Sequence, residues 1–141
     1  MSIITYGIQV WGLNCRPSVL KKVQSVQLNT LKWVTGNYFG SRNQLLKETK
    51  WLSVYQLAIY HSVLLLWKVK TFGKPDRLLR RLKTAEDTVA RLQITERIWS
   101  RTAERFFRKV ENQLSGVLKI SEAKTVIRNW IKTTLPLHEE N

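Results

Sequence analysis

The sequence predicts an all-α protein, an irregular bundle of five to six helices. Apolar residues recur at helical spacing in several separate segments, and serines with helix-capping spacing precede two of them. Gly36, Gly73, Pro75, Gly116 and Pro136 separate these segments, as glycine and proline commonly do between helices. A chain of 141 residues with 43% apolar content and six Trp has the composition of a folded protein.

The first segment leaves two secondary structures open. Residues 3–11 nearly alternate between apolar and polar side chains, which is typical of a short strand. From Ser18 onward the period is helical, and at 100° per residue the apolar side chains gather within about half a turn. These are Val19, Leu20, Val23, Val26, Leu31, Trp33 and Val34, with Lys21, Lys22, Asn29 and Lys32 on the other side. We therefore predict an amphipathic helix that ends at Gly36 and packs its apolar side in the core.

Two further helix starts are marked by capping boxes, in which a serine precedes a glutamine by three residues. Ser41 and Gln44 form the first pair, and Ser53 and Gln56 form the second. Leu52 and Leu57 add a hydrophobic staple around Ser53. The most apolar run of the chain, Trp51 to Lys70, is therefore predicted to be a helix that begins after Ser53.

This apolar helix is predicted to lie in the protein core and not to span a membrane. From Ser53 to Val69 it has about 16 residues, or roughly 24 Å, less than the hydrocarbon thickness of a bilayer. Gln56, His61 and Ser62 lie within it, and each would need a polar partner in lipid.

The remaining segments are also predicted to be helical. Pro75 opens a short basic helix, a long helix with an aromatic stripe runs up to Gly116, and a last helix begins at a Ser121 cap and stops before Pro136. The long stripe contains Val89, Leu92, Trp99, Ala103, Phe106, Phe107, Val110 and Leu114, and the last contains Ala123, Val126, Ile127, Trp130 and Ile131.

Net charge is the strongest compositional signal. The chain has 24 Lys+Arg and 10 Asp+Glu, which gives +14, and residues 1–83 alone carry +12. Such an asymmetric positive field favours a polyanionic partner, of which nucleic acid is the commonest, although anionic lipid also fits. Cys15 is the only cysteine, which fits a reducing, intracellular compartment, either nuclear or cytoplasmic.

Catalytic and metal-binding patterns are not found. Two-metal chemistry needs converging carboxylates, but Asp76 and Asp87 are the only aspartates and are not adjacent. Cys15, His61 and His138 are too few and too dispersed for a zinc site or a nucleophile–base pair, and His61 fits a core histidine. We expect no catalytic residue, no metal and no cofactor in this chain.

Two basic clusters are the candidate nucleic-acid-binding surfaces, because little negative charge offsets them. The first is Lys21, Lys22 and Lys32, and the second is Lys68, Lys70, Lys74, Arg77, Arg80 and Arg81, with only Asp76 nearby. Tyr38 and Phe39, in a loop beside Arg42, are candidates for base stacking. A third cluster, Arg97, Arg101, Arg105 and Arg108, is interspersed with glutamates and is interpreted as a solvated face.

The order of motifs resembles a known family. "SIITYGIQVWG", "KKVQSVQLNTLKWVTGNYFG", "LLKETKWLSVYQLAIYHSVLLLWKV" and "GKPDRLLRRL", followed by "FFRKVENQL" and "ISEAKTVIRNWIKTTLP", are similar to the region downstream of the palm in non-LTR (LINE-type) retrotransposon reverse transcriptases. The match covers nearly the whole chain. It departs from the family at Ser53, where proline is common, and at Leu57, where a basic residue is common.

The resemblance implies a domain organisation and a function. Residues 1–36 would form a thumb-like helical segment that clamps a template–primer duplex, and 37–141 a helical C-terminal segment, unless 1–141 is one compact domain. The resemblance also predicts that residues 3–11 are helical. It implies a non-catalytic fragment that binds the backbone of RNA, DNA or a hybrid, with the absent palm and fingers as a protein partner.

Two alternatives remain open. In the first, the chain is a structural or protein-interaction remnant with no independent nucleic-acid role. In the second, its basic faces associate peripherally with a membrane surface.

Overall fold

The computed structural model describes residues 7–8, 12–13, 15–74, 76–77, 80 and 99–135. Five α-helices are bounded within these ranges: α1 (Pro17–Thr35), α2 (Arg42–Thr49), α3 (Val54–Phe72), α4 (Trp99–Leu114) and α5 (Ile120–Thr134). The same ranges contain no strand, so the predicted all-α class is confirmed. Most of the predicted helix after Pro75 lies outside the described residues, although Asp76, Arg77 and Arg80 are helical.

Helix α3 is the central helix, as the sequence predicts. Eleven of its 19 residues are buried, and its capping box is complete in both directions. Ser53 Oγ accepts from Gln56 N at 3.2 Å, while Ser53 N donates to Gln56 Oε1 at 3.2 Å. No single helix in the described residues is long and apolar enough to cross a bilayer; α2 and α3 meet that criterion only as a pair bent by 49°.

Helices α4 and α5 pack on α3 through the described parts of the predicted stripes; Val89, Leu92 and the side chain of Trp99 lie outside the described part of the chain. Ala103, Phe106, Phe107, Val110 and Leu114 of α4 are buried, and so are Ala123, Ile127, Trp130 and Ile131 of α5. They form one apolar cluster with the middle and end of α3. Helix α5 runs antiparallel to the first half of α3, with Gln56 Nε2 donating to the Leu135 carbonyl at 3.2 Å.

Helix α1 has the predicted length, but the prediction of its buried side is only partly right: Leu20 and Leu31 are buried as predicted, and four of the other predicted residues are exposed. Its buried residues are Leu20, Gln24, Gln27 and Leu31. Val19, Val26, Trp33 and Val34 are instead 44%, 55%, 78% and 61% exposed.

Helix α1 buries this side because Gln27 makes a polar contact with the start of α3. Gln27 Nε2 donates to the Leu52 carbonyl at 2.8 Å, and Gln27 Oε1 accepts from Val54 N at 3.2 Å. A helix start leaves its first N–H groups without intrahelical partners, and here a side chain from α1 satisfies one of them.

The helix ends differ from the predictions in two places. Only half of the capping box at Ser41 forms, since Gln44 N donates to Ser41 Oγ at 3.4 Å and no reciprocal bond is present. The predicted Ser121 cap is wrong, because α5 begins at Ile120 with Lys119 as an N-cap that makes no side-chain bond. Glu122 in the first turn, 3.8 Å from Lys119, provides the negative charge that a helix start favours.

The segment before α1 packs closely on α3. Ile8 is helical and its carbonyl accepts from Gly12 N at 2.8 Å, which agrees with the helical alternative at this point; apart from Gly7 and Ile8, residues 3–11 lie outside the described residues. A Cβ atom at Gly12 would lie 2.6 Å from the Cβ of Ala58, so only glycine fits here without a shift. The predicted boundary at residue 36 stays a prediction, and α1 packs against both α2 and α3 across it.

Candidate nucleic-acid interface

The outer face of α1 carries the first basic cluster. Lys21 and Lys22 are exposed, and Lys32 is half-buried. No acidic residue occurs in residues 1–47, and among the described side chains no ion pair involves these three lysines. Lys21 and Lys32 are eleven residues apart, about 16 Å along the helix axis. This face therefore presents positive charge along most of the length of α1.

The second cluster begins in α3 with Lys68 and Lys70 and continues beyond the end of the helix. Its described members differ in exposure and in partners. Lys68 is half-buried, while Lys74, Arg77 and Arg80 are exposed. Arg81 lies outside the described residues.

Lys70 differs from the other members of this cluster. Its Nζ is 3.1 Å from Glu104 Oε1 and 4.6 Å from the centre of the Phe107 ring. The sequence prediction counted only Asp76 as an offsetting charge and missed Glu104, because tertiary packing brings α4 to the end of α3. Lys70 is thus already partly neutralised.

Arg42 connects two helices. Its Nη1 donates to Gln24 Oε1 at 2.6 Å, and burial lowers the pKa of Arg42 from its ordinary value. The two residues line a cavity of about 250 Å³ between α1 and α2. This contact ties Arg42 to the fold, so its charge is less available to a ligand than the charges of Lys21 and Lys22.

The loop aromatics are presented by a local hydrogen-bonded turn. Asn37 Oδ1 accepts from Phe39 N at 3.2 Å and from Gly40 N at 3.0 Å. Tyr38 and Phe39 are both exposed, as a base-stacking role requires.

The tryptophans are divided between core and surface. Trp67 and Trp130 are buried, as the sequence predicts, but Trp33 projects from α1. Sequence reasoning missed Trp33 as a surface residue, because its helical position is indistinguishable from that of a core aromatic. The side chain of Trp99 is outside the described part of the chain.

The described titratable groups in and around the core do not converge on a further site. His61 is half-buried, its ring meets Tyr60 edge-to-face at 5.1 Å, and its pKa is lowered by burial, by Lys124 and by Lys68. Cys15 is half-buried. Among the described residues, no group of three or more His, Cys, Asp or Glu side chains could hold a metal ion.

Comparisons of this chain with protein-family models, with curated proteins and with solved structures find no match.

Proposed function

We propose that this chain is a non-catalytic helical nucleic-acid-binding module that grips the sugar–phosphate backbone through the outer face of α1 and the basic end of α3. Lysine and arginine contacts of this kind position a backbone without selecting a base sequence. The motif order that resembles the region downstream of the palm in LINE-type reverse transcriptases supports the same proposal. The proposal assigns no chemistry to this chain.

The observation that carries the proposal is the uncompensated charge of α1. Its exposed lysines have no acidic residue in their own helix and no ion pair with a described side chain. Solvated lysines on a protein surface are usually interspersed with acids, as Arg108 is with Glu104 on α4.

Binding to a labelled RNA–DNA duplex, measured by fluorescence anisotropy at 50–200 mM salt, tests the proposal. Seven candidate residues remain once Arg81, which lies outside the described residues, and Lys70 and Arg42, which already contact Glu104 and Gln24, are set aside. They are Lys21, Lys22, Lys32, Lys68, Lys74, Arg77 and Arg80. If about six phosphates are contacted, affinity falls on the order of a thousandfold across this salt range. Absence of salt-sensitive binding at 50 mM refutes the proposal.

A matched pair of variants separates a specific face from general positive charge. Lys21→Gln with Lys22→Gln removes two charges from α1, and Lys109→Gln with Lys124→Gln removes two exposed charges from α4 and α5. The first pair is expected to reduce the salt slope by about two and the second to leave it nearly unchanged. Equal effects would show that net charge alone drives binding and would contradict a defined interface.

A second candidate function rests on the outer stripe of α1, defined as Val19, Val23, Val26, Thr30 and Trp33, in which Val19, Val26 and Trp33 are exposed apolar side chains. These positions alternate at four- and three-residue spacing, which is the pattern of helix-pairing seams. Val26 and Trp33 are its most exposed members. Water-exposed apolar side chains in a row are typical of protein-interaction surfaces.

The occupant that fits this stripe is an amphipathic helix with acidic flanks. Lys22 borders the stripe one turn before Val26, and α1 has no acid with which a second copy of itself could pair. A designed helical peptide tests this choice of partner. It has leucines at the positions that face the stripe and glutamates on either side of them, and a peptide with lysines in place of the glutamates is the control.

Calorimetry should detect the acidic peptide only, and Trp33→Ala should weaken its binding. Equal binding of both peptides, or concentration-dependent dimers in sedimentation without peptide, would contradict an acidic helical partner.

A further inference from the structure

Three lysines from two helix ends that are distant in sequence line one cavity. Lys47 and Lys50 come from the end of α2, and Lys132 comes from the last turn of α5. The cavity has a volume of about 370 Å³, within the range of small-molecule sites. None of its lining residues is acidic, and all three lysines are exposed.

The cavity also has an apolar wall. Leu46, Leu52 and Leu135 line it together with the half-buried Trp51. Gln56 already has partners, since its Oε1 accepts from Ser53 N and its Nε2 donates to the Leu135 carbonyl. The charged side chains of the lining are therefore the three lysines, which lie beside apolar residues and Trp51.

Helix dipoles explain the lysines individually but not their arrangement. An ammonium group near a helix C-terminus is favourable, and each of the three lysines lies in or just beyond a last turn. Lys50, however, is in the left-handed conformation with φ 57°, which a glycine would adopt with less strain. The dipoles also do not account for a concave surface that is lined by three lysines and by Trp51.

We propose that this cavity binds a phosphomonoester carried on a flat ring, that is, a nucleoside monophosphate or the 5′-phosphorylated end of a nucleic-acid strand. The lysines hold the phosphate as point charges, and Trp51 stacks on the base. A phosphomonoester is favoured over a carboxylate because it carries about −1.5 to −2 charge at neutral pH.

This site goes beyond the proposed function and does not depend on it. Its lysines belong to α2 and α5 and not to the two basic clusters assigned to duplex binding. Each of the two proposals can therefore fail while the other stands.

Calorimetric titration of the full chain at 50 mM salt with AMP, adenosine and inorganic phosphate tests the site. AMP is expected to bind at least about tenfold more tightly than adenosine or phosphate, since only AMP engages both the lysines and Trp51. Short single strands with and without a 5′-phosphate form the second arm. Tighter binding of the phosphorylated strand than of AMP identifies a strand end as the ligand. Equal affinity for the phosphorylated strand and for AMP identifies the nucleotide itself as the ligand.

Charge variants locate the ligand. Lys47→Gln and Lys132→Gln are each expected to weaken AMP binding by about tenfold. Lys124→Gln removes an exposed charge from the same helix as Lys132 but outside the cavity, and it should leave AMP binding unchanged.

Two results overturn the proposal. One is the absence of AMP binding together with equal affinity for the two strands. The other is an equal loss of binding in Lys124→Gln and Lys132→Gln. Survival of AMP binding in a variant that lacks Lys21 and Lys22 shows that the cavity acts independently of the duplex-binding face.

Discussion

Replacing Gln27 by leucine is the sharpest test of how α1 packs. Hydrophobic periodicity alone predicts a neutral or stabilising change, because leucine is apolar and favours helix. The structure predicts the opposite. Gln27 is fully buried and bonds both the Leu52 carbonyl and the Val54 amide.

The size of the effect follows from those two bonds. Each hydrogen bond contributes about 0.5–1.5 kcal/mol, and a buried backbone group that loses its partner costs about 1–3 kcal/mol. Leucine cannot replace either bond, and its own burial recovers part of the loss. We expect Gln27→Leu to lower the free energy of unfolding by about 2–4 kcal/mol.

Urea denaturation followed by far-ultraviolet circular dichroism measures this change. Val26→Gln, at the neighbouring exposed position of α1, is the matched control and should change the free energy of unfolding by less than about 0.5 kcal/mol. In thermal unfolding, Gln27→Leu should lower Tm by about 6–12 °C.

Equal or higher stability of Gln27→Leu would refute the reasoning. So would a large loss in Val26→Gln, because that result would indicate that the valine side of α1 faces the core.

Three further changes have defined outcomes. Gly12→Ala should destabilise by about 1–3 kcal/mol in urea denaturation, since its Cβ would lie 2.6 Å from that of Ala58; an unchanged midpoint would contradict this close packing. Ser53→Ala should cost about 1–2 kcal/mol in the same assay through loss of the α3 cap, whereas Ser121→Ala, inside α5, should be nearly neutral. The pKa of His61 is lowered in the folded state, so neutral His61 contributes stability above about pH 6.5. This contribution is lost as the pH falls through the folded pKa. His61→Gln should therefore flatten the acidic side of a plot of Tm against pH.

The candidate site was only partly predictable from sequence. The lysines of α1 could be assigned to its outer face because they lie opposite Leu20 and Leu31, which the structure buries. The pairing of Lys70 with Glu104 could not be predicted, since it depends on how α4 packs against α3. The cavity lined by Lys47, Lys50 and Lys132 likewise exists only where α2 and α5 meet.

The sequence by itself determined the helical class and several helix limits, although α3 ends at Phe72, three residues beyond the predicted Val69, and the predicted Ser121 cap of α5 is wrong. The Ser53 cap, the Gly36 and Gly73 ends and the stripes of α4 and α5 depend on residues within a few positions of one another, so pattern alone identifies them. Tertiary structure decided which side of α1 is buried. The start of α3 presents backbone groups that need partners, and Gln27, distant in sequence, provides them. That requirement buries Gln27 and leaves Val26 and Trp33 on the surface, because an unpaired buried backbone group costs more than an exposed apolar side chain.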